Sequence, residues 1–283
     1  AIRNTYTAPA FVQVNGKDFG DVVADKLTTY GDQWKGINLA DGQDGLYNKD
    51  KAKAQLEKAK AELQKDGVQF PIHIDVPVAQ NSTNFVSRMQ SLKQTVEDTL
   101  GKDNVVIDVQ KLSTDDADNA TYFAQSPDQK DFDMDITGWG PDFQDPSTYL
   151  DILNPTDGST LTGMGLDPKK DQALIEKIGL NQYKELLDAA NAEKLDTNAR
   201  YEKYAAAQAW LAENAMVLPI YSKGGVPSIT KVTPFSAANS AIGIKGESSF
   251  FKYQKVQDKT VTTADYEKAY KNWLKEKEES NKK

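Results

Sequence analysis

Four residues in the stretch 138–142 have types and spacing that could hold a ligand: Gly138, Trp139, Gly140 and Asp142. A carboxylate meets an ammonium through charge-assisted hydrogen bonds. An indole face covers a partner between two small neighbours. Glycine backbone leaves its N–H and C=O groups open to pair with an extended peptide. The chemistry this suggests is capture rather than bond breaking. A second reading uses the same residues: a strand–turn–helix corner, with Trp139 in the core and Asp142 capping a neighbour. The residues alone leave both open.

Other groups that could carry chemistry have simpler explanations. His73 is the only histidine. No G-x-S-x-G elbow supplies a nucleophile beside it, so it reads as structural. Asp131, Asp133 and Asp135 begin like a calcium loop. The sixth position would be Ile136 rather than Gly and the twelfth Asp142 rather than Glu, so a strand's outer face explains the alternation better. Asp115, Asp116 and Asp118 fall in a predicted first helical turn, where acids suit the dipole. Asp41 to Gly45 is turn chemistry. There is no cysteine, hence no thiolate site or disulfide. No phosphate-cradling glycine loop is present. No cofactor is expected. With 34 basic and 42 acidic residues, the net charge is −8, which disfavours nucleic-acid binding.

The elements that must position residues 138–142 follow from periodicity. Phe132, Met134 and Ile136 alternate with polar residues and predict a strand over 132–137. Asp145-Pro146 opens a short helix to Leu153, with Asp145 as N-cap and Pro146 at the first position. Upstream, a helix starts after Asn48 and stops at Gly67. A strand carries Ile72, Ile74, Val76 and Val78 on one face. A helix spans 82–100 and closes at Gly101. A second strand spans 104–112, and a helix capped by Thr114 spans 114–123. The order α–β–α–β–α–β predicts an α/β layer with helices crossing between neighbouring strands. Further helices are predicted over 168–179, 181–192, 197–214 and 263–277, and a buried strand over 216–222. Residues 1–47 lack periodicity and predict a long loop. Residues 223–258 read as short strand-like pieces. The longest apolar runs, such as 215–220, are too short to cross a bilayer, and the first residues show no leader pattern.

The stretch GWGPDFQDPSTYL, Gly138 to Leu150, resembles the G-W-x-x-D-[YF]-x-[DE]-P-x-x-[FY]-L signature of oligopeptide-binding proteins, the solute-binding receptors of peptide-importing ABC transporters. The wider chain is similar to the C-terminal part of the streptococcal-type lipoprotein members. That resemblance implies an α/β C-terminal lobe of a type II periplasmic-binding-protein-like fold, a mixed sheet flanked by helices. It also implies four parts: an entry segment over 1–47 wrapping a surface, the lobe over 48–215, strands over 216–260 returning towards an N-terminal lobe, and a terminal helix and polar tail over 261–283. The chain is then expected to be a fragment, because a full receptor carries a leader and a lipid-bearing cysteine ahead of this region.

The resemblance assigns roles as well. Backbone at Gly138 and Gly140 would pair with peptide main chain. Trp139 would line a side-chain pocket and Asp142 would meet the peptide's α-ammonium; Tyr221, in the returning strand, is a further candidate for pocket lining, with core packing as the alternative. Some relatives place an arginine before the Gly-Trp pair for the peptide's carboxylate. Ile136 and Thr137 stand there instead, which favours longer or variable peptides. Expected partners are oligopeptides and, through the full receptor, ABC permease subunits. The protein would be an extracytoplasmic, cell-surface lipoprotein in full-length form, monomeric and without enzymatic activity. Two other classes stand beside this one: a hydrolase using paired carboxylates, and a surface adhesin or signalling module.

Overall fold

The computed structural model describes residues 5–39, 45–130, 132–222, 228–237, 245 and 251–281. Asp131, Asp41 to Asp44 and, within the strand-like pieces read over 223–258, residues 223–227, 238–244 and 246–250 lie outside the described residues. Two compact units divide the chain. One draws on Ala1–Gly45, Trp139–Asp151 and Leu186–Lys283, the other on Leu46–Gly138 and Ile152–Glu185.

In the second unit, helix α2 (Lys49–Lys65) is capped by Asn48, whose side chain accepts the Lys51 N–H at 2.9 Å. It ends where Gly67 takes a positive φ of 82°. The Gly67 N–H returns to Gln64 O and the Val68 N–H to Leu63 O, which satisfies carbonyls the helix leaves open. Strand β3 (Ile72–Ala79), helix α3 (Thr83–Leu100) and strand β4 (Val105–Leu112) form a β–α–β unit. The two strands are parallel, in register from Ile72 opposite Val105 to Ala79 opposite Leu112. Val76, Val78, Met89, Val105 and Ile107 are its buried centre. Glu97 is buried in α3 and holds the Ile107 N–H of β4 at 3.1 Å, with Lys93 at 2.5 Å. Helix α4 (Thr114–Ala120) is capped by Ser113, not by the expected Thr114: the Ser113 Oγ accepts the Asp116 N–H at 3.1 Å.

The strand expected over 132–137 does not form. Met134 and Ile136 do pack against the core beside β3. However, the Asp133 and Met134 N–H groups both donate to Asp75 O, and Asp133 Oδ2 accepts the Asp75 N–H. A side chain thus takes the backbone group that a ladder would need. The Asp133 carboxylate is occupied in this way. Burial pushes the Asp135 carboxyl up, and the Ile136 N–H and Lys130 oppose the shift.

The helix predicted from 168 is shorter. Asp167 Oδ1 accepts the Lys169 and Lys170 N–H groups in a turn, and helix α6 (Gln172–Lys177) begins only after Asp171. Helix α7 (Leu180–Ala192) follows Gly179, as expected.

In the first unit the long loop expected over 1–47 is replaced by structure. Strands β1 (Gln13–Val14) and β2 (Lys17–Asp18) form a hairpin around Asn15-Gly16, both at positive φ. Asp18 then caps helix α1 (Phe19–Leu27) by accepting the Gly20 N–H at 2.9 Å. Phe19, Val23 and Leu27 are buried as α1 packs on helix α8 (Thr197–Glu213). Ala205, Ala207 and Ala209 are fully buried in α8 and permit close approach. Helix α9 (Thr263–Asn281) lays Tyr266, Tyr270 and Trp273 around Phe235, with centroids 5.3–5.9 Å apart.

The buried strand expected over 216–222 is also absent. Leu218 is 61% exposed and Ile220 48%. Pro219 offers no N–H, and the only bridge outside named strands among the described residues joins Val232 to Val256. No helix among the described residues is long and apolar enough to cross a membrane.

Candidate functional site

Three anchors in the first unit fix the motif that follows Trp139. Asp145 accepts the Ser147 N–H at 3.0 Å and the Ser147 hydroxyl at 2.7 Å, just ahead of helix α5 (Ser147–Leu150). The helix starts one residue later than expected, yet Asp145 still satisfies its first free N–H. Asp145 also receives Arg200 of α8 in a two-pronged ion pair, both contacts at 2.7 Å. Burial, with the nearby Asp145 charge adding to it, pushes the Tyr201 hydroxyl up to about 12. Gln144 is the second anchor. Its amide donates to Phe11 O at 2.7 Å, and its carbonyl accepts from Lys277 of α9 at 2.5 Å. The third is Thr148, whose hydroxyl accepts the Asp142 N–H at 2.9 Å.

With the backbone held, the Asp142 carboxylate stays accessible. It is 48% exposed, and the Thr148 hydroxyl donates to its Oδ2 over a long 3.5 Å. The corner reading had this carboxylate as a cap; the N–H makes the shorter bond to Thr148, and the carboxylate also accepts the Thr148 hydroxyl and pairs with Lys245. Trp139 is half-buried and its indole N–H is buried without an acceptor. A buried donor left unpaired costs about 1–3 kcal/mol, so the position favours an incoming acceptor. Gly138 is exposed, with no described atom within 4 Å of where a Cβ would stand.

A residue that sequence reasoning did not reach completes the cluster. Lys245 donates its backbone N–H to Pro141 O at 2.7 Å. Its Nζ lies 3.4 Å from the centre of the Trp139 ring and 3.4 Å from Asp142 Oδ1. The arrangement holds a primary ammonium between an indole face and a carboxylate. Nothing local could reveal it, because Lys245 arrives from far along the chain. Arg200 was missed for the same reason, and Gln144, though inside the motif, because its partners Phe11 and Lys277 are distant in sequence. Tyr221 is exposed in the irregular stretch after α8. His73 pairs its Nδ1 with Asp108 across β3 and β4 at 2.6 Å, an exposed contact. A shallow hollow lined by Val14, Lys17, Asp25, Lys26 and Glu202 involves none of the motif residues, and its charges pair among themselves.

Among the described residues, the motif thus sets a carboxylate and an indole face around one primary ammonium. The chain belongs to the bacterial extracellular solute-binding proteins, family 5, whose middle-region model matches residues 15–160; that family is non-enzymatic. It is 52% identical over 286 aligned positions to the oligopeptide-binding protein AliA of Streptococcus pneumoniae serotype 4, covering all of this chain and 43% of that protein. It is 52% identical over 284 positions to the oligopeptide-binding protein SarA of Streptococcus gordonii, again covering all of this chain and 43% of that protein. The chain therefore spans about 43% of the length of the curated relatives it matches. Among solved structures, the pheromone receptor PrgZ, described with its mode of peptide binding, superposes with a TM-score of 0.51 at 17% identity. That match covers 90% of this chain and 40% of that one, a likeness of fold. The α/β class expected from the sequence is therefore borne out.

Proposed function

We propose that this chain is the ammonium-recognising part of an oligopeptide receptor. Asp142 takes the peptide's α-ammonium and Trp139 covers it. Main chain at Gly138 and Gly140 pairs with peptide backbone, and Tyr221 contributes to a side-chain pocket. Backbone pairing carries no side-chain information, so many sequences would be accepted. The observation that carries this reading is the accessible Asp142 carboxylate beside the Trp139 face, already matched to a primary ammonium. The relatives named as oligopeptide-binding support the ligand class.

In the whole receptor, residues 48–215 would form the C-terminal lobe. Residues 1–47 would wrap over it, 216–260 would return towards an N-terminal lobe, and 261–283 would close the chain. The receptor would work outside the cytoplasm as a lipid-anchored monomer and hand peptides to an ABC permease.

Calorimetry with a free-amino peptide and its N-acetyl form tests the reading. Loss of a half-exposed charge pair should weaken binding by about tenfold. Acetylation and Asp142→Asn should each do this, and acetylation should cost the variant nothing more. Equal affinity of both peptides for the unaltered chain overturns the reading, as does the absence of any binding.

A further inference from the structure

We propose that Lys245 is a built-in competitor for the ammonium site, so that peptide must displace it to bind. The inference rests on the reading of Asp142 and Trp139 given above and adds a residue that sets affinity. Three observations carry it. The Lys245 Nζ stands where an incoming ammonium would make its two contacts, 3.4 Å from the Trp139 ring centre and 3.4 Å from Asp142 Oδ1. Its backbone is tethered separately, by the N–H to Pro141 O at 2.7 Å. The side chain is 46% exposed, so the tip can swing into water while the tether remains. The stem crosses the Gly140 position, with Cγ and Cε at 3.6 and 3.7 Å from where a Cβ would lie. The same lysine therefore also covers backbone that a peptide would pair with.

The chemistry is symmetrical. A lysine ammonium and a peptide α-ammonium are both primary cations with three donors, and neither can share a cage of this size with the other. Self-occupancy raises the apparent dissociation constant by the inverse of the open fraction. A cation–π contact and a half-exposed ion pair together favour the occupied arrangement by about three- to tenfold. A ligand without a free ammonium gains nothing from the vacated cage.

The test is Lys245→Met, which keeps the apolar stem and removes the charge. Calorimetry should show a free-amino peptide binding this variant about three- to tenfold more tightly. The N-acetyl peptide should gain much less, and the gain should disappear in the Lys245→Met, Asp142→Asn double variant. Without ligand, the Trp139 indole resonance should shift on Lys245→Met. Unchanged or weaker peptide affinity in Lys245→Met, while Asp142→Asn still weakens binding, overturns the competitor and leaves the peptide reading standing. Equal gains for both peptides overturn it also. If Asp142→Asn and acetylation change nothing, the reading of the site falls and the competitor with it.

Discussion

Replacing Arg200 by alanine removes the clamp that holds Asp145, and with it the backbone carrying Asp142. The Asp145 side chain is 15% exposed and that of Arg200 26%, so water only partly compensates either group. Two contacts of 2.7 Å disappear. The carboxylate keeps the Ser147 N–H and hydroxyl, which limits the damage. A hydrogen bond to a charged group contributes about 1.5–3 kcal/mol, and stripping the partner from a fully buried pair costs about 3–5 kcal/mol. Partial exposure and the surviving Ser147 donors place Arg200→Ala near the low end, about 2 kcal/mol. All four tryptophans, Trp34, Trp139, Trp210 and Trp273, belong to the first unit. Tryptophan emission therefore reports this unit's unfolding in urea. With a slope of about 1–3 kcal/mol per molar urea, the midpoint should fall by about 1 M with little change in slope. Asp145→Ala should be worse, because it also loses the Ser147 contacts. The double variant should show a coupling of about 1–2 kcal/mol rather than the sum of the single losses. A midpoint shift within the error of measurement, or strictly additive losses, refutes the clamp.

Two further outcomes concern the second unit. Glu97 has its carboxyl held low by Lys93, against the opposing pull of burial, with the Ile107 N–H adding to the lowering. A depressed folded-state value makes its contribution present above the unfolded value of 4.5 and lost as pH falls through the folded one. Glu97→Gln should therefore destabilise the unit at pH 7, and the gap to the unaltered chain should shrink below pH 4.5; a gap that stays constant down to pH 3 in far-UV circular dichroism melts contradicts this assignment. Gly158→Ala places a Cβ 2.5 Å from Ile152 O and 2.7 Å from Asn154 N, both backbone atoms. Overpacking of this kind costs about 1–3 kcal/mol, so the same melts should move down, and an unshifted melting temperature contradicts the crowding.

What was legible in the sequence was local. Helical periodicity, the Asn48 cap and the Gly67 and Gly101 stops place α2 and α3, because capping and side-chain period act over a few residues. Alternation places β3 and β4 for the same reason. The Asn15-Gly16 turn was a local signal that the reading of 1–47 as a long loop passed over; it marks the hairpin found there. The motif from Gly138 to Leu150 was readable as a pattern of residue types.

Tertiary structure decided the rest. Whether 132–137 joins a ladder depended on the Asp133 carboxylate reaching Asp75 first. Whether 216–222 forms a strand depended on a partner edge, which no short-range pattern can supply. The accessibility of Asp142 depended on Thr148 taking its N–H and Arg200 holding Asp145 instead. The ammonium in the cage belongs to Lys245, whose proximity is a product of the folded path and of no spacing along the chain. Residue types determine which contacts are chemically possible, and only folding brings distant partners within the few ångströms over which those contacts act.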